Sequence, residues 1–237
     1  MSPTSAPIRR RKLSEDVRER LLAMIESGLK PGDRLPSERE LMAEYGVGRP
    51  AIREAMQSLD AMGLIVVSHG ERPRVAEPSM ASAFDQLGPT MRHVLAHSKP
   101  TLEHLKETRL VLEQHLASVA ARRQRPDDID RLQAVLEQQR AAGDDPERFR
   151  QLDGQFHAMI AAISANPILT SVCTAIFDWL AVFHEEAVLK RGLEELTLEE
   201  HEAILEAIAS GDSARASEQM GRQLTRANAR YARSHAT

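Results

Sequence analysis

Cysteine and aromatic residues are scarce in this 237-residue chain. The single cysteine, Cys173, has no partner for an internal disulfide and points to a reducing, cytoplasmic setting. With aromatics at 3%, the core has to be built from Leu, Ile, Val, Met and Ala, which favours packed helices over a β-sandwich. No apolar stretch reaches the roughly 18 uncharged residues of a membrane-spanning helix. The run LTSVCTAIFDWLAVF is broken by Asp178. The basic run RRRK at 9–12 is followed by LSEDVRER rather than an apolar stretch, which argues against a secretory signal. Repeats of fixed period and a G-x-S-x-G nucleophile motif are also lacking. Nor is there a strong excess of one charge. Residues 1–80 carry 13 Lys/Arg against 12 Asp/Glu, and the remainder carries 18 against 23. A nucleic-acid contact would therefore have to rest on where charges point, since bulk charge gives it little support.

What is present fits a globular protein, 42% hydrophobic and 28% charged. Residues 1–12 combine Pro, Ser and Thr with the basic run and read as a flexible arm able to touch phosphate. Residues 13–28 place Val17, Leu21, Met24 and Ile25 on one helical stripe, with Ser14 as the expected cap. Turn chemistry (KPGDRLP) follows, and then Ser37 and Glu40 spell a capping box that opens a second helix to about Tyr45. GVG at 46–48 is a tight turn, Pro50 suits the start of a third helix, and Gly63 suits its end. LIVVS (64–68) and PRVAE (73–77) read as strands of a hairpin around HGER. Past a short linker at 78–82, the periodicity is helical throughout. Helices are expected near 82–97, 101–124, 127–142, 147–165, 167–188, 197–209 and 212–233, with caps at Thr101, at Thr197 with Glu200, and at Asp212.

Two helices joined by a Gly-containing turn make a helix-turn-helix. Leu41, Met42, Tyr45, Val47, Ile52, Met56 and Leu59 can pack inward. That leaves Arg49, Pro50, Ala51 and Arg53 at the exposed start of the recognition helix, where side chains meet base edges in the major groove. Arginine suits that place because its planar fork donates twice to guanine, and Arg39 on the preceding helix can reach phosphate or a base. A plain helical hairpin, with the arginines ion-paired to Glu44 and Glu54 on a wet face, has the same spacing. The whole stretch from LPSERELMAEYGVGRPAIREAM to SHGERPRV resembles the winged-helix domain of the GntR superfamily of bacterial transcription regulators, over residues 13–76. The resemblance implies that Arg39, Gly48, Arg49, Arg53, His69 and Gly70 contact operator DNA, and that the protein is a homodimer reading a repeated or palindromic site. The fold class expected is mostly α: a winged helix-turn-helix over 13–77, then an all-α bundle over 83–233 for effector binding and dimerisation.

In that second part, LDGQFHAMI sets Asp153 and His157 at i, i+4 on one helix face, where an oxygen and a nitrogen can converge on a divalent ion or form a satisfied local pair. Arg109 and Glu113 are also i, i+4, and fit either an inward guanidinium that binds a carboxylate or a surface ion pair. His93, His97, His104 and His115 read as ordinary helix residues, and Ile176, Trp179 and Phe183 as core or dimer interface. Residues 82–233 resemble the FCD effector domain of the FadR-type branch, and GRPAIREA, SHGERPRV and NPILTSVCTAIFDWL together are similar to its sialic-acid-responsive members. That resemblance implies metal ligands at Asp153, His157 and His201, with Gln223 standing where a further His is expected. It also implies Arg109 facing the effector cavity. Zn²⁺, Ni²⁺ or Mn²⁺ would suit such a set, although an amide oxygen is a weaker ligand than imidazole. The function expected is an effector-responsive repressor that binds double-stranded operator DNA and a small carboxylate or sugar acid, with no membrane partner. The alternatives are a helical metallohydrolase fused to a DNA-binding module, which lacks an evident general base, and a constitutive DNA-binding dimer.

Overall fold

Ten helices and one two-stranded hairpin make up the residues that the computed structural model describes: 12–68, 71–143, 145–188 and 194–234, with backbone only at 182–188 and 229–234. The chain divides into two compact units, residues 1–86 and 87–237.

In the first unit, helices α1 (Leu13–Gly28), α2 (Glu38–Tyr45) and α3 (Arg49–Ala61) enclose a core of Val17, Leu21, Leu35, Leu41, Ile52, Met56 and Leu59. Met42, Tyr45 and Val47 pack against it. Ser37 and Glu40 close the expected capping box, and Gly46, at φ 66°, ends α2 in the left-handed conformation that the tight turn needs. At α1 the expected cap is displaced. The helix starts at Leu13 after an extended Lys12, no side chain caps it, and Ser14 is buried. Strands β1 (Ile65–Val66) and β2 (Arg74–Val75) pair antiparallel, Ile65 with Val75 and Val66 with Arg74. They are shorter than the alternation suggests because the Val67 amide donates to Asp60 Oδ1 (3.1 Å) at the end of α3, and Pro73 has no amide to give. The outer edge of β2 is covered by the loop before α2: the Gly32 amide donates to the Val75 carbonyl and the Val75 amide to the Asp33 carbonyl, both at 2.9 Å. The expected wing tip, His69 and Gly70, lies outside the described residues, as do residues 1–11 of the expected arm.

Helix α4 (Met80–His97) leads into the second unit, which holds α5 (Lys99–Arg123), α6 (Pro126–Ala142), α7 (Pro146–Ala162), α8 (Pro167–Val188), α9 (Glu194–Ala209) and α10 (Ser213–Ser234). Its aliphatic core gathers Ala117, Ala120, Leu132, Leu136, Leu152, Phe156, Ile160, Ile204, Ile208, Met220 and Leu224 from five of these helices. Two caps differ from expectation. Ser98, not Thr101, caps α5, because Pro100 needs no amide partner in the first turn and the helix extends back over it. Thr197 and Glu200 lie inside α9 rather than capping it, and both accept from Arg226 of α10. The Arg226 Nε to Glu200 Oε1 bond is 2.6 Å, and a second contact to Glu200 Oε2 makes the pair bidentate. Asp212 does cap α10 through the Arg215 amide. Ile176 and Trp179 are buried core, while the side chain of Phe183 lies outside the described residues. His93, His97, His104 and His115 are exposed helix residues.

Gly154 on α7 lies against Phe177 of α8. A Cβ there would stand 2.5 Å from Cε1 of Phe177, a buried ring with the Arg109 guanidinium 5.3 Å from its centroid. Gly154→Ala is expected to lose about 1–3 kcal/mol of stability, as overpacking does. Urea unfolding followed by circular dichroism measures it, and an unchanged midpoint would show that the ring moves freely.

Candidate nucleic-acid interface and buried polar site

The tight turn brings Arg39, Gly48, Arg49, Pro50, Ala51 and Arg53 to one end of the first unit. Gly48 is the N-cap of α3 and Pro50 sits in its first turn, while Arg39, Arg49 and Arg53 all project into solvent. The partner of the two α3 arginines is Glu38, not Glu44 or Glu54. Arg53 Nε donates to Glu38 Oε1 at 2.9 Å, and Arg49 Nε stands 3.6 Å from Glu38 Oε2. Glu54 instead meets Lys12 at 3.6 Å. Ion pairs as exposed as these contribute about 0–1 kcal/mol, so a phosphate or base edge can take the guanidinium groups over at little cost.

In the second unit, one face of α5 carries Leu102, Lys106, Arg109, Glu113 and Leu116, all buried. Arg109 is therefore both inward-facing and paired. Its Nε donates to Glu113 Oε1 at 2.5 Å, and the two side chains are 3% and 2% exposed, which removes the surface-pair reading. Glu113 Oε2 contacts His157 Nδ1 without the alignment of a hydrogen bond. Burial pushes the Glu113 carboxyl up, but Arg109 and His157 more than offset it and bring it down to about 2.

His157 and Asp153 on α7 meet His201 on α9 and Gln223 on α10. His201 Nε2 lies 3.3 Å from Asp153 Oδ1 and 3.5 Å from Gln223 Nε2. Asp153, His157 and His201 each offer one ligand atom within 4.8 Å of the others. The four residues implied by spacing and resemblance thus converge, with Arg109 one carboxylate removed. Burial raises the Asp153 carboxyl, yet its neighbours His201, His157 and Arg109 outweigh burial and hold it well below the ordinary range. Burial lowers His201, against the pull of Asp153, and favours the neutral ring. Both ring nitrogens of His157 and Gln223 Oε1 are buried without a hydrogen-bond partner. Those orphans, an adjacent carboxylate and a neutral imidazole fit a divalent cation with mixed N and O ligands. The amide of Gln223 has two ends of one shape, so turned over it presents its oxygen to the same point.

Two participants escaped the sequence reading. Lys106, 2% exposed, sits in the 102/106/109/113/116 stripe, and Gln139 follows Leu132, Val135 and Leu136 on the buried face of α6 and accepts from His201 Nδ1 through Oε1 at 3.0 Å. For Gln139 the signal was a polar residue on an otherwise apolar stripe, and for Lys106 it was the helical spacing it shares with Arg109 and Glu113. Cys173, buried against Leu116 and Ala161, is a packing residue whose thiol burial pushes up.

Comparison with known proteins decides the family. Residues 13–75 match the bacterial regulatory proteins of the gntR family, and residues 104–226 match the FCD domain. The chain belongs to the gntR family of bacterial regulatory proteins. This gntR-family chain is 37% identical over 210 residues to the HTH-type transcriptional repressor NanR of Cronobacter sakazakii, covering 87% of this chain and 80% of that one. It is 36% identical over 212 residues to NanR of Escherichia coli K12, covering 88% and 80%. A solved GntR structure from Streptococcus agalactiae superposes with a TM-score of 0.62 at 26% identity, over 92% of this chain and 99% of that one. Escherichia coli McbR/YncC shares the fold at a TM-score of 0.55 and 20% identity, over 95% and 100%. The gntR-family chain is a DNA-binding transcriptional regulator, and the family is one of regulators rather than enzymes. Among its described residues no helix is long and apolar enough to cross a membrane.

Removing one partner of a buried ion pair leaves the other charge unmatched and costs about 3–5 kcal/mol. Glu113→Ala is expected to destabilise the second unit by that order in chemical denaturation, and more than Glu147→Ala on the surface of α7. Equal midpoints for the two variants would show that Arg109 is not buried with Glu113.

Proposed function

We propose that the protein is a homodimeric, effector-responsive repressor of an operon for the breakdown of a sugar acid or related organic acid, acting in the cytoplasm. The observation that carries this reading is the combination, in one gntR-family chain, of an arginine-tipped recognition helix with a buried Asp/His/His cluster beside an inward guanidinium. The repressor sense follows the printed name of the NanR relatives.

In this reading Arg49 and Arg53 read base edges in the major groove and Arg39 holds phosphate, while Gly48, Pro50 and Ala51 let the helix approach closely. His69 and Gly70, outside the described residues, are assigned to the wing. Two copies present their recognition helices to two half-sites of the operator. Asp153, His157 and His201 hold a divalent ion such as Zn²⁺, Ni²⁺ or Mn²⁺, and Gln223, water or the effector completes its shell. When bound, such an ion supplies a Lewis-acid site for an oxygen of the effector. Arg109, with Lys106 on the same face of α5, matches the charge of a carboxylate that is costly to bury alone. Effector binding shifts the dimer between arrangements that do and do not fit the half-site spacing.

Arg49→Ala is expected to cost about 1–3 kcal/mol of operator affinity and to relax the preference at one base position, read by fluorescence anisotropy against single-base variants. Unchanged affinity would remove Arg49 from the interface. A thermal-shift panel of sugar acids that includes sialic acid, run with and without chelator, is expected to raise the midpoint only with metal present, by about 2.7 kcal/mol of stabilisation at a hundredfold excess over Kd. The Asp153→Ala, His157→Ala double variant is expected to lose that response and keep operator binding. A full response in the double variant would place the effector elsewhere, and no response from any ligand would favour the constitutive dimer.

A further inference from the structure

We propose that Gln139 is a positioning residue that fixes His201 in the tautomer protonated at Nδ1, so that the Nε2 lone pair is aimed at Asp153 and Gln223. Its use rests on the metal-site reading above; its geometry does not. Along α6 the buried stripe runs Leu132, Val135, Leu136 and then Gln139, which is 0% exposed. A carboxamide in that position is costly unless both of its ends are bonded, and both ends find partners. Gln139 Nε2 donates to the carbonyl of Phe149 on α7 at 3.5 Å, which turns Oε1 toward His201 Nδ1 at 3.0 Å. An amide oxygen only accepts, so Nδ1 carries the proton. The ring of Phe156 stacks on the imidazole, with centroids 4.3 Å apart and planes 19° from parallel, and resists rotation of His201 out of this alignment.

The opposite edge of the ring meets one donor and one acceptor: Gln223 Nε2 lies 3.5 Å from His201 Nε2, and Asp153 Oδ1 lies 3.3 Å from the same atom. The proton held at Nδ1 by Gln139 leaves the Nε2 lone pair facing the Asp153 carboxylate, a pairing that a cation between them would reconcile. Glu113 stands in the corresponding place behind His157, with Oε2 in contact with Nδ1 but without the alignment of the Gln139 hydrogen bond. Charge differs as well, because the oxygen behind His201 is neutral. Outer groups of this kind set both the tautomer and the basicity of a metal-binding imidazole.

The test uses the full chain. Long-range ¹H–¹⁵N spectra of the metal-stripped protein at neutral pH, with the His201 signals assigned by their loss in His201→Gln, are expected to show a ring protonated at Nδ1 alone. Zn²⁺ affinity, measured by competition with a chromophoric chelator, is expected to fall about 10- to 100-fold in Gln139→Leu. In Gln139→Glu, whose carboxylate still accepts from Nδ1, it is expected to stay at least as high as in the unaltered protein. A ring protonated at Nε2, or Zn²⁺ binding in Gln139→Leu as tight as in the unaltered protein, overturns the proposal. If the unaltered protein takes up no Zn²⁺ at all, the metal-site reading fails while the spectrum still decides the tautomer. The same spectrum decides it if Gln139→Leu does not fold.

Discussion

Charge inside an aliphatic bundle is stable only when it is matched, and in the helical unit the matching begins at Glu113. Its carboxylate takes Arg109 on one oxygen and meets the His157 ring on the other, in a place where neither side chain has water to fall back on. Burial by itself would neutralise the carboxyl; the two neighbours keep it ionised. Everything around it follows from that placement. Arg109 is held over Phe177, Phe177 fits because Gly154 has no side chain, and Gly154 is the residue after Asp153. The packing of α7 against α8 and the polar cluster on α7 are therefore one arrangement.

The N-terminal unit solves the opposite problem, since it must keep charge in water. Its core cluster is aliphatic, and Arg49 and Arg53 stand outside, tethered lightly to Glu38. Such tethers hold a long side chain near one rotamer without binding it strongly, which reduces the ordering entropy that a polyanion would otherwise have to overcome. Helix ends do the rest: the capping box at Ser37 and the left-handed Gly46 fix the angle at which α3 leaves α2.

Local signals made the N-terminal unit nearly complete on the page of sequence, because a capping box, a Gly turn and an i, i+4 apolar stripe each act within a few residues. Strand length did not follow, since Val67 is diverted by Asp60, a residue seven positions away on another element. At Ser14 and Thr101 the residue type was right for a cap but tertiary burial and Pro100 moved the helix starts. In the helical unit, Asp153 and His157 were legible because one helix turn brings them together. That His201 and Gln223 join them was carried by family resemblance alone, as no local rule connects positions on different helices. Gln139 was overlooked for a related reason: it sits on a stripe whose apolar members define the face, and a lone polar residue there reads as an interruption until its partners on neighbouring helices are known. Lys106 was overlooked because a face that also carries Arg109 and Glu113 reads as solvated until its burial is seen.

The bidentate tie between Arg226 and Glu200, reinforced by Thr197, lies one position from His201 on α9 and three from Gln223 on α10. A clamp so near the cluster ties the backbone that carries the histidine to the backbone that carries the glutamine, so the spacing of those two ligand candidates is set by α9 and α10 as a pair.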